Sequence, residues 1–332
     1  MARPVGNLIG SFGHNTGGQV DVVVETVILA LDYLSLGLRM WSRSIMKTRL
    51  QVNDWLIIVA MVLMTVRYGV EIAAILKSGV GLHIDEVLTV GGPEVLVVFQ
   101  KLLYIVDLLW ATVVTLVKLS ILHFYYVIFP QRNFRRFLFV AMAFCVIFWF
   151  GSFFGTAFLC RPPQKKWVPD TPGVCGSEVT QYVAIVAGDL FTDLVIIALP
   201  MPLLSRLHLQ LSQKIPIILA FGLGFGITVI TSIRIKYFIN LDTADPLYSI
   251  WPDAVLSALV PLLGILNANL LTSRQALKVV FGAWRKSKRV PKPQDSHRFE
   301  LLAESSIGLT DVSRTTNRQD EELYARGKGI VL

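Results

Sequence analysis

The sequence predicts an all-α membrane protein: a bundle of seven transmembrane helices with the N-terminus outside and the C-terminus in the cytosol. Three observations lead to this fold class. Seven long apolar stretches follow one another along the chain, and the basic residues between them gather in alternate loops. In addition, 54% of the residues are hydrophobic and only 16% are charged, which is typical of integral membrane proteins.

Each apolar stretch has about the ~20 residues that a helix needs to cross the hydrocarbon core of a bilayer. Backbone polar groups find no partners in lipid, so apolar segments of this length are expected to be helical. The predicted spans are residues 20–42, 54–78, 97–127, 137–160, 180–203, 215–239 and 252–272.

The loop charges predict the orientation. The first, third and fifth loops and the segment after the last span carry most of the basic residues, namely Arg43, Lys47, Arg49, Arg132, Arg135, Arg136, Arg206, Lys214, Arg274, Lys278, Arg285, Lys286, Lys288 and Arg289. The second and sixth loops are acidic, and only the fourth loop, with Arg161, Lys165 and Lys166, departs from the trend. Basic loops stay in the cytosol, so the N-terminus is predicted outside.

Four regions follow from this topology. Residues 1–19 are an extracellular N-terminus without a signal peptide, and residues 20–275 form the membrane domain. Residues 274–289 are predicted to form a basic amphipathic eighth helix on the cytosolic leaflet, because their apolar residues recur at helical spacing. An unordered basic flank is the alternative. Residues 290–332 are polar and predicted to be a disordered cytosolic tail.

The cysteines indicate one disulfide. Cys160 ends the fourth span and Cys175 lies in the following loop, both on the predicted outer side, where disulfides persist. A Cys160–Cys175 bridge is therefore predicted, with two free thiols as the alternative. Cys145 lies inside a span and is expected to pack there. No His and Cys cluster has metal-ligand spacing, so no metal site is predicted.

Nine ionisable residues lie within the predicted spans rather than at their ends. They are Glu25, Asp32, Arg67, Glu71, Asp107, Lys118, Asp189, Asp193 and Arg234. One charge in mid-bilayer costs ~2.5–3.5 kcal/mol, so these side chains must face one another or a wet cavity. Arg67 and Glu71 are four apart and can pair on one helix. Asp189 and Asp193 repel each other on one face and need a cation such as Lys118 or Arg234.

A ligand pocket is the functional interpretation of these charges. Its predicted lining consists of Glu25, Arg67, Glu71, Asp107, Lys118, Asp189, Asp193 and Arg234. The alternative is an internal lattice of ion pairs that fixes helix register and binds nothing. The net charge of +8 is explained by the cytosolic ends of the spans, so no nucleic-acid partner is predicted.

Several motifs in order resemble a known family. They are Arg39-Met-Trp-Ser-Arg43, Asn53-Asp-Trp55, Gly79-Val-Gly-Leu-His83, Lys118-Leu-Ser-Ile-Leu-His-Phe-Tyr125, Cys160-Arg-Pro162 with Trp167 and Cys175, Asp193 with Leu199-Pro-Met-Pro202, Lys214, and Ser232-Ile-Arg234. Over residues 20–275 the chain resembles the fungal rhodopsin-like integral-membrane domain family. That family includes appressorium-type receptor-like proteins and the satratoxin-cluster membrane protein.

The resemblance implies a multi-pass protein of the plasma membrane or an endomembrane, and a link to secondary-metabolite biosynthesis. It does not imply retinal. An opsin needs a lysine in the seventh span to form a Schiff base, and residues 251–271 contain none. No cofactor is therefore predicted.

Two functions stay open at this point. The first is a receptor-like protein that binds a small lipophilic molecule and signals to a cytosolic protein. The second is a membrane-embedded tailoring enzyme that cyclises, isomerises or opens an epoxide of a polyketide or terpenoid. In that enzyme Asp193 or Asp189 is the candidate acid, and Lys118 or Arg234 stabilises negative charge.

The predicted topology has a direct test. A fluorescent tag fused after Leu332 should be digested only by protease added to the cytosolic side, because the basic loops hold that side in the cytosol. A tag placed before Met1 should be digested only from the other side. Digestion of both tags from one side would contradict a seven-span chain.

Overall fold

Long apolar helices make up most of the chain. The computed structural model describes residues 13–45, 47–168, 170–201, 211–240 and 244–287, with side chains in these ranges except at 211–217 and 273–287. The helices are α1 (Thr16–Ile45), α2 (Val52–Ser78), α3 (Ile84–Gly91), α4 (Glu94–Ile128), α5 (Arg132–Ala157), α6 (Glu178–Ala198), α7 (Leu211–Ile239), α8 (Pro246–Ser249) and α9 (Trp251–Ser287).

Six helices in the described ranges are long and apolar enough to cross a membrane. They cover Val52–Ser78, Glu94–Ile128, Arg132–Ala157, Glu178–Ala198, Ile218–Ile239 and Pro246–Thr272. These helices confirm the predicted all-α, multi-pass membrane bundle. The seven-span count and the orientation of the termini stay predictions.

Helix α1 covers the predicted first span but differs from the other six. Its buried face carries Asp21, Glu25 and Asp32, which lower its hydropathy. Its exposed side chains are mostly apolar, with Val23 60%, Leu34 61% and Trp41 60% exposed among them. Apolar residues outside and carboxylates inside reverse the arrangement of a water-exposed helix. This distribution suits a helix whose outer face meets lipid, and it favours α1 as a span.

Local chemistry sets the boundaries of α2. The Asp54 Oδ2 accepts a hydrogen bond from the backbone N–H of Gln51 at 2.9 Å, which satisfies a donor at the helix start. The helix ends at Gly79, whose φ of 67° is left-handed. A Cβ at this position would also lie 2.7 Å from Val87, so both conformation and space favour glycine.

The connection between α5 and α6 is a small disulfide-bonded hairpin. Strands β1 (Cys160–Arg161) and β2 (Val174–Cys175) pair antiparallel with Cys160 opposite Cys175, and a 3₁₀ turn at Pro163–Lys166 lies between them. Cys160 and Cys175 are bonded, which confirms the predicted disulfide. Cys145 is free and buried, as expected. We refer to this end of the bundle as the disulfide end.

Three other segments meet at the disulfide end. The Asn15 Nδ2 donates to the carbonyl of Val80 at 2.7 Å, and the backbone N–H of Gly81 donates to the carbonyl of Leu247 at 3.0 Å. The starts of the short helices α3 and α8 contact each other through His83 and Asp245, which directly precede them. The His83 Nδ1 lies 2.6 Å from the Asp245 Oδ2. The sequence gives no sign of α3 or α8, because both are shorter than a span.

The described residues up to Ala276 form one compact unit. In the predicted amphipathic segment 274–289, the backbone up to Ser287 is helical as the end of α9. Its side chains, and residues 1–12 and 288–332 of the predicted terminal regions, lie outside the described residues. The same holds for residues 202–210 at the end of the predicted fifth span.

Candidate functional site

The predicted intramembrane charges do not form one pocket, and most of them belong to three separate clusters. Two of these clusters face a cavity at the disulfide end, and the third lines a second cavity deeper in the bundle. A fourth cluster, made of motif residues, ties the helices together at the opposite end.

The first cluster is centred on Arg67 of α2, whose side chain is fully buried. Its Nη1 lies 2.9 Å from the Glu25 Oε1 of α1 and 2.7 Å from the Glu71 Oε2 one turn along α2. The Arg67–Glu71 pair is the one that their spacing predicts. Asp21, one turn before Glu25, completes a group of three carboxylates whose oxygens lie within 4.8 Å of one another.

The second cluster is centred on Arg234 of α7. Its Nη2 donates to the Tyr182 hydroxyl at 2.8 Å, and its Nε lies 3.4 Å from the Asp253 Oδ1. The Tyr182 hydroxyl in turn donates to the Asp253 Oδ2 at 2.7 Å. The guanidinium also stacks over the ring of Trp110, 4.8 Å from its centroid. Four side chains from α4, α6, α7 and α9 therefore hold one another in place.

A cavity of about 130 Å³ lies between these two clusters. Its polar lining consists of Asp21, Arg67, Glu71, Asp107, Thr156, Lys166, Glu178, Gln181, Tyr182, Arg234, Asp253 and Ser257. Its apolar lining consists of Ala74, Ile75, Val80, Phe99, Leu103, Val106, Trp110, Ala111, Leu159, Ile185, Val186, Phe238, Ile250 and Ala254. We call it the disulfide-end cavity. Apolar walls with a few converging polar groups are typical of small-molecule sites.

Asp107 of α4 lines this cavity and makes no hydrogen bond to another described residue. It lies one turn before Trp110, whose ring packs against the guanidinium of Arg234. A carboxyl group held in the lining without a hydrogen-bond partner is open to whatever enters the cavity. Asp107 is therefore a candidate for proton transfer to or from a molecule in the cavity.

The third cluster joins α4 to α6. The Lys118 Nζ lies 2.6 Å from the Asp189 Oδ1 and 3.0 Å from the Asp193 Oδ1. It also donates to the Thr192 Oγ1 at 2.5 Å and to the carbonyl of Asp189 at 2.9 Å. Lys118 rather than Arg234 is thus the cation that the two aspartates need. Lys118 and Asp193 line a second, smaller cavity of about 50 Å³, together with Asn267 and apolar residues of α4, α6, α7 and α9.

The fourth cluster lies at the end opposite the disulfide. Arg39 of α1 lies 2.8 Å from the Asp54 Oδ1 of α2 and donates to the Asn269 Oδ1 of α9 at 3.1 Å. Arg43 also contacts Asp54, at 3.3 Å. Both arginines and Asp54 are buried. These motif residues therefore link three helices and line neither described cavity.

The structure thus places the predicted site residues in different environments. Arg67, Glu71, Asp107 and Arg234 line the disulfide-end cavity, and Glu25 contacts Arg67 behind them. Lys118, Asp189 and Asp193 belong to the separate third cluster. Asp32 is fully buried, and neither carboxylate oxygen has a hydrogen-bond partner among the described residues.

Sequence reasoning missed most of the polar lining of the disulfide-end cavity, including Asp21, Tyr182 and Asp253. Asp21 is four residues before Glu25 and could have been found from that spacing. Asp253 falls among the acids of the sixth loop in the sequence, but it lies in the first turn of α9. Nothing in the sequence identifies Tyr182 as a cavity residue, because tyrosines are common near the ends of spans at membrane interfaces.

The third cluster generates a stability prediction. Lys118→Met leaves the buried carboxylates of Asp189 and Asp193 without a cation, and breaking a buried ion pair costs ~3–5 kcal/mol. Its steady-state abundance in membranes should fall several-fold. Lys101→Met, at an exposed position of the same helix, is the matched control and should accumulate normally. Equal abundance of the two variants would show that the cluster does not stabilise the fold.

Comparison with known proteins agrees with this architecture. The chain is 30% identical over 211 residues to a polyenoic acids biosynthesis gene cluster protein of Metarhizium anisopliae, covering 63% of this chain and 57% of that protein. It is 26% identical over 194 residues to a SAT4 family membrane protein of Emericella nidulans, covering 56% and 50%. It is 27% identical over 175 residues to wortmanamides biosynthesis cluster protein C of Talaromyces wortmannii, covering 51% and 47%.

The chain spans about half the length of these curated relatives. No solved structure matches it. The fungal rhodopsin domain family model matches residues 38–279, which is most of the chain and includes the four clusters except for Asp21 and Glu25 of α1. This multi-pass membrane protein therefore belongs to the fungal rhodopsin domain family.

Proposed function

We propose that this protein binds a small, partly lipophilic molecule in the disulfide-end cavity. One observation carries the proposal: two charged clusters, around Arg67 and around Arg234, face the same cavity between walls of apolar and aromatic residues. An engineered cavity of about 150 Å³ holds benzene, so the disulfide-end cavity of about 130 Å³ suits a moiety of about that size.

The two parts of such a ligand would meet different surfaces. Phe99 and Trp110 would pack against its apolar portion, since aromatic rings bury large areas of apolar surface. Tyr182 and Arg234 would hydrogen-bond its polar group, because their positions are already fixed by Asp253. Because these side chains are already ordered, they lose less conformational entropy when the ligand binds.

The relatives support a ligand from secondary metabolism. Two of them are named for biosynthesis gene clusters, one of polyenoic acids and one of wortmanamides. A molecule of that kind combines an apolar chain with a polar end, as the cavity requires. If the protein is a receptor, a cytosolic signalling protein binds the end of the bundle that carries Arg39 and Asp54, and this interaction changes when the ligand binds.

Filling the cavity tests the proposal. Ala254→Leu adds three carbon atoms to the cavity lining, and it should weaken binding of cis-parinaric acid, a fluorescent polyenoic acid, by at least about tenfold. The measurement is a fluorescence titration of purified protein in lipid nanodiscs. Ala187→Leu, at an exposed position of α6, adds the same volume outside the cavity and should bind like the unmodified protein. Saturable binding that Ala254→Leu leaves unchanged would place the ligand elsewhere.

A second candidate function is an acid–base tailoring enzyme that uses the same cavity. Asp107 favours it, because its carboxyl group lines the cavity and makes no hydrogen bond to another described residue. A positioned carboxyl group that donates or accepts a proton speeds a reaction by ~10²–10⁴-fold. The structure thus offers Asp107 as the acid in addition to the predicted Asp189 and Asp193, which are held by Lys118.

Metabolite profiling of the native host separates the two functions. If the protein is an enzyme, a strain carrying Asp107→Asn should accumulate the same biosynthetic intermediate as a deletion strain, since the amide cannot donate the proton. A strain carrying Glu94→Gln, at an exposed acid in the first turn of the same helix, is the control. Unchanged metabolites in the Asp107→Asn strain, with normal protein abundance, would rule out Asp107 as the acid.

A further inference from the structure

Three carboxylates converge beside a single guanidinium where α1 and α2 meet the disulfide-end cavity. Asp21 and Glu25 are four residues apart, so they lie on one face of α1, and Glu71 reaches them from α2. One oxygen of each lies within 4.8 Å of the other two. The three residues are 2%, 2% and 6% exposed, so water screens them poorly.

The charges of this cluster do not balance. Arg67 contacts Glu25 and Glu71 through its Nη1, and no other cation lies in ion-pair contact with the three acids among the described residues. Three carboxylates beside one guanidinium leave a formal charge of minus two. The Asp21 Oδ1 is buried and has no hydrogen-bond partner within the described part of the chain. Leaving ionised carboxylates unpaired in such a place is costly, so the cluster must take up protons or a cation.

The occupant has a route to the cluster. Asp21 and Glu71 both line the disulfide-end cavity, so an ion in that cavity reaches them without any helix movement. Glu25 lies behind them against Arg67. Water in the cavity can complete the coordination of an ion that sits between the carboxylates.

We propose that Asp21, Glu25 and Glu71 form a binding site for a divalent cation of the calcium class. All three ligands are carboxylate oxygens, which hard cations prefer. Oxygens bound at 2.3–2.6 Å to one Ca²⁺ are at most about 5 Å apart, and the observed separations satisfy this limit. One divalent ion also removes the whole excess of negative charge, whereas a monovalent ammonium group removes half of it.

The site is independent of the lipophilic ligand proposed above. The ion would occupy the wall formed by α1 and α2, and the polar group of that ligand was assigned to Tyr182 and Arg234 on the other wall. Calcium binding is therefore measured with no organic ligand present, and its outcome does not depend on the outcome of the parinaric acid titration.

Equilibrium binding of radioactive Ca²⁺ to the full chain in nanodiscs tests the proposal. After removal of metal with a chelator, the protein should bind one Ca²⁺ per chain in a saturable manner. Asp21→Asn should weaken this binding by at least about tenfold, because one charged ligand is lost. Asp32→Asn makes the same chemical change at another buried acid of α1 and should leave the affinity unchanged.

Thermal unfolding provides the second measurement and shows whether each variant is folded. Metal-free Asp21→Asn should unfold at or above the temperature of the metal-free unmodified protein, because it removes an unpaired buried charge. Calcium should raise the unfolding temperature of the unmodified protein and of Asp32→Asn, but not that of Asp21→Asn.

Several outcomes would contradict the proposed calcium site. Absence of saturable Ca²⁺ binding by folded, unmodified protein would do so, as would equal losses of affinity in Asp21→Asn and Asp32→Asn. Thermal stabilisation by propylammonium but not by Ca²⁺ would also overturn it, because it would assign the cluster to an organic cation.

Discussion

An ionised side chain buried between apolar helices is costly without a partner, and pairing between neighbouring helices is the constraint on which most of the bundle's arrangement depends. Arg67 bridges α2 to α1 through Glu25, Lys118 bridges α4 to α6 through Asp189, and Arg234 bridges α7 to α9 through Asp253. Breaking such a contact strands a buried charge at a cost of ~3–5 kcal/mol. Rotation or sliding of any of these six helices would break at least one pair, so the contacts fix their register in a way that apolar packing in lipid does not.

Both cavities lie beside these contacts. Charged side chains of the clusters contribute to each lining, so the cavities are partly polar. A cluster of Trp110, Val114, Ile227 and Val260 separates the two cavities. Trp110 lines the disulfide-end cavity and the other three residues line the smaller one. This apolar layer isolates the Lys118 cluster from the disulfide-end cavity, which is why an architectural role suits Lys118 and a binding role suits Arg234.

Helix α1 has a charged inner face and an apolar outer face. Asp21 lines the disulfide-end cavity and Glu25 contacts Arg67 behind it, while the apolar side chains of α1 are exposed on the opposite face. Two of the acids that lower the hydropathy of α1 thus belong to the proposed cation site. In a membrane bundle, such a helix depends on its neighbours for stability, because its inner face cannot be exposed to lipid.

The sequence by itself determined the helical membrane class, six of the helices, the Cys160–Cys175 bridge and the Arg67–Glu71 pair. Each depends on spacing or hydropathy within one short segment, which is visible in the order of residues. Only the tertiary structure decided that Lys118 belongs to Asp189 and Asp193, that Arg234 belongs to Tyr182 and Asp253, and that Asp21 completes a carboxylate triad. These partners lie up to 75 positions apart. Which helix faces meet depends on how the whole bundle packs, and no local sequence pattern contains that information.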